Sequence, residues 1–248
     1  MIKKIWMAIT LSLLWVGTVS AMSTEAEYVD YLLNKVSSQN EKTKLVALKR
    51  LQWSGISSPA LYDVIEQRLV ELLSPEEELS PRQKKLATYY VRALGYSGNE
   101  KYRDYITQLT HISEPWEVKK HARKALTDLP NYGIWHNAIE QSQTSTEGLR
   151  IDEAIYLKML NNRDHFVQRM AARALFHERR STSQLLEKSA ELIHESYKKP
   201  LDAQEQDTVA WLCKVIGQNG NGSYQTLLTE VAAETPHSKI AKYARKYI

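Results

Sequence analysis

Six basic side chains recur at corresponding places along this chain: Lys49, Arg92, Lys124, Arg173, Lys214 and Lys246. Each follows by two residues a small or apolar position of a repeated helical stripe. That offset places it about 200° round the helix, away from the side that must be buried. Six cations one rung apart would form an electropositive ridge suited to an acidic protein, an anionic glycan or a lipid head group. Lys and Arg are also the usual occupants of exposed helix faces, so the competing reading is a plain solvated surface.

Signals for catalysis are sparse. The 7 histidines are scattered, and no two have the four-residue spacing of a helical metal site. Ser196 and Lys199 have the serine-x-x-lysine spacing of some acyl-transferring enzymes but no companion motif. Glu76, Glu77 and Glu78 suit a solvated helix start, where acid complements the dipole. The paired segments Gly95 to Asn99 and Gly217 to Asn221 lack the preceding strand and glycine spacing of a phosphate cradle, and read as turns. We therefore expect no catalytic residue, no metal site and no cofactor. Tyrosine and tryptophan cluster at Tyr89 with Tyr90, Tyr102 with Tyr105, Tyr132 with Trp135, and Tyr243 with Tyr247. Such rings serve either inter-helix packing or a binding surface. Trp135 and His136 stand out because their segment has no counterpart elsewhere in the chain. Cys213 is the single cysteine and cannot form an internal disulfide, so it reads as a small apolar filler.

The first 21 residues read as an address. Lys3 and Lys4 precede an uncharged apolar run, Ile5 to Val16, and Val19-Ser20-Ala21 is a small-residue cleavage site. Cleavage after Ala21 is expected, giving a periplasmic or secreted protein; the run is shorter than a spanning helix prefers. Removing those two lysines takes the formal charge from +4 to +2. This is not the field of a dedicated nucleic-acid binder, and no second apolar stretch predicts a membrane span in the mature chain.

These side chains must be positioned by helices. Nearly every segment has helical period, and sparse Gly and Pro disfavour a turn-rich β fold. Leu79 to Leu126 returns without a gap as Leu201 to Ile248, matching Gly95 with Gly217, Gly98 with Gly220, and Ala122-Arg123-Lys124 with Ala244-Arg245-Lys246. Within it a shorter unit appears six times: Thr43-Ala47-Arg50-Leu51, Leu86-Tyr90-Ala93-Leu94, Val118-Ala122-Ala125-Leu126, Val167-Ala171-Ala174-Leu175, Thr208-Leu212-Val215-Ile216 and Ile240-Ala244-Tyr247-Ile248. Spacings of four, three and one put these positions on one stripe, and the small middle residues admit a close neighbour. Capping signals at Ser38, Ser80, Thr144, Ser181 and Asp202, and stop glycines at Gly55, Gly95 and Gly217, divide the chain into about a dozen helices. Pro130 separates two of them, 115–127 and 131–140.

The unit resembles the HEAT-repeat family of α-solenoids, most clearly over Arg163 to Leu175 and Pro115 to Leu126. The likeness covers Glu41 to Ile248. It implies an all-α, curved right-handed solenoid of stacked antiparallel helix pairs, armadillo-like, with one helix of each pair on the concave side. Lys119 and Gln168 replace the family's usual arginine, so no family site residue is carried over. The expected organisation is a signal peptide at 1–21, a first helical-repeat half at 22–140, and a second at 141–248 continuing the same solenoid. The expected role is a non-catalytic scaffold or adaptor that binds another envelope protein, the ridge being its contact surface. The alternative is an accessory protein that binds or processes cell-wall polymer.

Overall fold

The computed structural model describes residues 22–74, 78–112 and 115–248, and the expected signal peptide lies outside them. Among the described residues the chain is all-α, with no strand. The helices are α1 Glu25–Val36, α2 Glu41–Arg50, α3 Pro59–Leu73, α4 Pro81–Tyr96, α5 Arg103–Leu109, α6 Trp116–Glu140, α7 Ile151–Leu160, α8 His165–Glu178, α9 Ser183–Ser196, α10 Ala203–Asn219, α11 Gln225–Glu234 and α12 Ser238–Arg245. A 3-10 turn, Leu51–Trp53, extends α2. No helix of the described residues is long and apolar enough to cross a membrane.

Each odd-numbered helix packs on the even one that follows. The even helices also pack on one another, α2 on α4 on α6 and α8 on α10 on α12. The recurring stripe is what they share. Its central positions, including Ala93, Ala122, Ala125, Ala171, Ala174 and Val215, are fully buried or nearly so. In the last instance of the stripe Tyr247 is half-buried and Ile248 is 51% exposed.

Several local expectations need correction. Ser80 with Gln83 and Asp202 with Glu205 form full capping boxes, but the cap of α2 is Asn40 rather than Ser38. Thr182, not Ser181, precedes α9, and α7 begins at Ile151, after a loop that holds Thr144 and Glu147. Pro130 does not end a helix: α6 runs through it for 25 residues. The proline is exposed, so water can take the carbonyl it leaves unpaired, while Leu129, Tyr132, His136 and Ile139 bury the opposite side. Gly95 and Gly217 are not left-handed caps either. They lie inside α4 and α10, and their use is close approach. A Cβ on Gly95 would sit 2.8 Å from the Ala125 Cα, and one on Gly217 would overlap the Tyr247 ring. Ala125 and Tyr247 are themselves matched positions of the duplication, so both copies use the same contact. The left-handed glycine of the first turn is Gly98, with φ 64°, and it leaves room for the Gly133 backbone of α6.

The second part of α6 carries the chain from one half to the other. Tyr132 donates to the Gln52 carbonyl at 2.9 Å, and His136 Nε2 lies 2.9 Å from the Tyr96 carbonyl. Trp135 donates to Asp164 at 2.8 Å and stacks on Phe166 at 4.4 Å. The odd pair Trp135 and His136 thus ties the end of α4 to the start of α8. Elsewhere the halves meet through corresponding elements, α1 with α7 and the Leu51–Trp53 turn with α8. A polar network fills this joint. Asp152, 1% exposed, accepts from Arg150 at 3.1 Å and Arg180 at 2.5 Å. Tyr156 donates to Glu178 at 3.2 Å, and Arg50 lies 4.0 Å from the same carboxylate. Burial raises the Glu178 carboxyl above its ordinary range.

Candidate functional site

All six basic residues of the expected ridge stand on even-numbered helices or at their ends, and neighbouring side chains connect them into one surface. Lys49 and Arg92 share the Tyr89 ring, at 5.2 and 6.0 Å from its centre. Arg92 also faces Tyr96 at 5.7 Å. Arg173 lies between Trp53 at 5.0 Å and Trp211 at 5.5 Å. Lys214 stands over Trp211 at 3.5 Å and Tyr243 at 4.1 Å, and Lys246 over Tyr247 at 5.7 Å. Lys124 acts on the same His121 imidazole as Arg92, and among the described residues it alone of the six is ion-paired, with Asp128 at 3.2 Å. Its five companions have no carboxylate within 4 Å among the described residues. Aromatic faces take the place of counter-ions, which leaves the charge available to an incoming anion.

The ridge deepens where the halves meet. Lys49, Gln52 and Trp53 come from the end of α2, Tyr89, Arg92 and Tyr96 from α4, and Arg173 from α8; together they line a cleft of about 200 Å³. Trp53 and Tyr96 are buried in its wall. Trp53 is held there by stacking on His177 at 5.5 Å, and Tyr96 by Tyr132 at 5.0 Å. Burial pushes the Tyr96 phenol up to about 12 against the pull of Arg92, so it stays protonated. Burial, then the neighbouring Arg169, lowers Arg173 from its usual value.

Sequence spacing placed the six cations but passed over Gln52, Trp53, Tyr96 and Trp211. A signal for most of these was present: Lys49 with Trp53, Arg92 with Tyr96, and Lys214 with Trp211 are three or four residues apart, which puts cation and ring on one helix face. The remaining flagged groups do other work. Cys213 is fully buried, and burial pushes its thiol up to about 12, which makes it an inert filler. Tyr102 is buried and donates to Asp63 at 2.7 Å. Ser196 and Lys199 are joined by a backbone turn, Lys199 N–H to the Ser196 carbonyl at 2.9 Å. Among the described residues no three His, Cys, Asp or Glu side chains are grouped to hold a metal ion.

Three histidines give the region a pH dependence. Burial holds His121, His136 and His177 below the ordinary 6.5. Arg92 adds to this at His121, and Arg173 at His177. The unfolded chain therefore binds protons first as the pH falls below 6.5, and stability present above that value is lost progressively under it. Melting temperature should be flat from about pH 8 to 7 and fall between about 6.5 and 5.5. The double variant His121→Gln, His177→Gln should show a shallower fall; an unchanged slope would remove these groups from the account.

Comparison with protein-family models finds no match, and comparison with curated protein sequences finds none either.

Proposed function

We propose that this chain is a non-catalytic helical-repeat scaffold, HEAT-like in kind, exported to the periplasm or cell envelope. In this reading the paired helices follow the curved right-handed path of an α-solenoid. An acidic protein partner lies along the even-numbered helices, its carboxylates meeting the basic row and its apolar groups the rings between. What supports this most directly is the pairing pattern: five of the six cations rest on aromatic rings and not on carboxylates. Cations against rings offer contact area, charge and little conformational freedom to lose, the combination binding surfaces favour.

The test compares capture of envelope proteins by the mature chain and by Lys124→Ala, Lys214→Ala, Lys246→Ala together, three positions outside the cleft. Loss of specific acidic partners by the variant, with melting temperature retained, is expected. Identical capture would sink the docking role. Turnover of purified peptidoglycan by the mature chain would instead favour a role in processing cell-wall polymer.

A further inference from the structure

We infer that the cleft at the joint is a receptor for a phosphate monoester, a small-molecule site set within the ridge and distinct in role from the protein docking proposed for it. Seven buried side-chain polar atoms have no hydrogen-bond partner among the described residues, and four of them belong to residues lining this one cleft: Trp53 Nε1, Arg92 Nε, Tyr96 Oη and Arg173 Nε. The Tyr96 hydroxyl and the Arg92 guanidinium interact with each other, whereas Trp53 Nε1 and Arg173 Nε have no such neighbour; buried polar groups are almost always paired, so these donors around one opening point to an acceptor from outside the chain. Three of the four can only donate, and the Tyr96 hydroxyl can donate as well. Trp53 at 9% exposure and Tyr96 at 3% are fixed by the core, so these donors are preorganised and cannot simply turn to water.

Charge and donor number select the ligand. Lys49, Arg92 and Arg173 bring three positive charges to the cleft, with no carboxylate within 4 Å of any of them among the described residues. A single carboxylate offers one charge and about four lone-pair sites, too little for three cations and the two neutral donors beside them. A phosphate monoester carries roughly −1.5 to −2 charges near neutral pH on three strong acceptor oxygens. Arginine forks match that geometry. The space is larger than a phosphoryl group alone, and Tyr89 and Trp53 are among the residues that line it. That suits a compact planar or apolar substituent on the ester oxygen.

Calorimetric titration of the mature chain with phenyl phosphate, inorganic phosphate and benzoate at about 0.15 M salt tests this. Phenyl phosphate should bind saturably, with inorganic phosphate weaker and benzoate at least tenfold weaker than phenyl phosphate. Arg173→Gln should weaken phenyl phosphate at least tenfold. Tyr96→Phe keeps the ring, removes one donor and should weaken it about threefold. Lys124→Ala should leave it unchanged. No saturable binding of either phosphate up to about 10 mM, benzoate as tight as phenyl phosphate, or an unaltered affinity in folded Tyr96→Phe would each overturn the assignment. The ridge variant of the capture experiment leaves every cleft residue in place. Loss of capture with phosphate binding intact therefore speaks to docking alone, and the converse to the cleft alone.

Discussion

Gly95→Val is expected to destabilise the fold by about 3 kcal/mol, at the upper end of what overpacking usually costs. At Gly95, α4 and α6 approach backbone against backbone. A Cβ at Gly95 would meet the Ala125 Cα at 2.8 Å, its Cβ at 2.9 Å and its carbonyl oxygen at 3.0 Å. None of those atoms can rotate away, so the two helices must separate. The better helix propensity of a side-chain-bearing residue returns well under 1 kcal/mol. Gly217→Val makes an informative contrast. Its clash is with the Cβ and ring of Tyr247, a half-buried residue that follows the last turn of α12, where the backbone can shift more easily than inside a packed helix pair. The loss there should be about 1 kcal/mol or less. Urea denaturation of both variants, read as a shift in midpoint at unchanged slope, checks the order. Equal losses would mean that the close approach at Gly95 is not what sets the spacing of α4 and α6.

Asp152→Ala is expected to lower stability by about 3 kcal/mol, the low end for breaking a buried ion pair. The carboxylate is 1% exposed, and it accepts from Arg150, Arg180 and the Glu153 N–H. Its removal leaves two guanidinium groups facing each other across the gap. Both arginines retain some solvent contact, with side chains 29% and 24% exposed, and this relieves part of the penalty. Asp152→Asn keeps the shape and one acceptor, and should fall between the two proteins. Because the network joins α2, α7 and α8, the loss should appear in global urea unfolding. A variant as stable as the parent would show that apolar packing alone holds the halves together.

The all-α class and most helix positions were legible in the sequence because the stripe of small and apolar residues has one dominant period, and burial follows it closely. The six basic positions follow from their offset from that stripe, which sets them on the even-numbered helices or at their ends. Features that depend on contacts between distant segments were not. Pro130 read as a boundary because local chemistry gives it that meaning; only the buried residues on the other side of α6 override it. Gly95 and Gly217 read as caps because the sequence shows where a helix could stop and not what presses against it. The cleft is the strongest case. Its arginines come from α4 and α8, and its indole from a 3-10 turn between helices. No linear pattern joins Trp53 to Arg173.

The duplicated segments have parted company in their chemistry. The second copy places Trp211, Lys214 and Gln218 where the first has Tyr89, Arg92 and Tyr96. Gln218 spends its amide on the Phe176 carbonyl at 2.8 Å, and among the described residues none of that trio holds a buried polar atom without a partner. The two copies of one surface have thus diverged: buried donors without partners are found in the first and not in the second. A titration should accordingly saturate at a single equivalent per polypeptide, despite the internal symmetry.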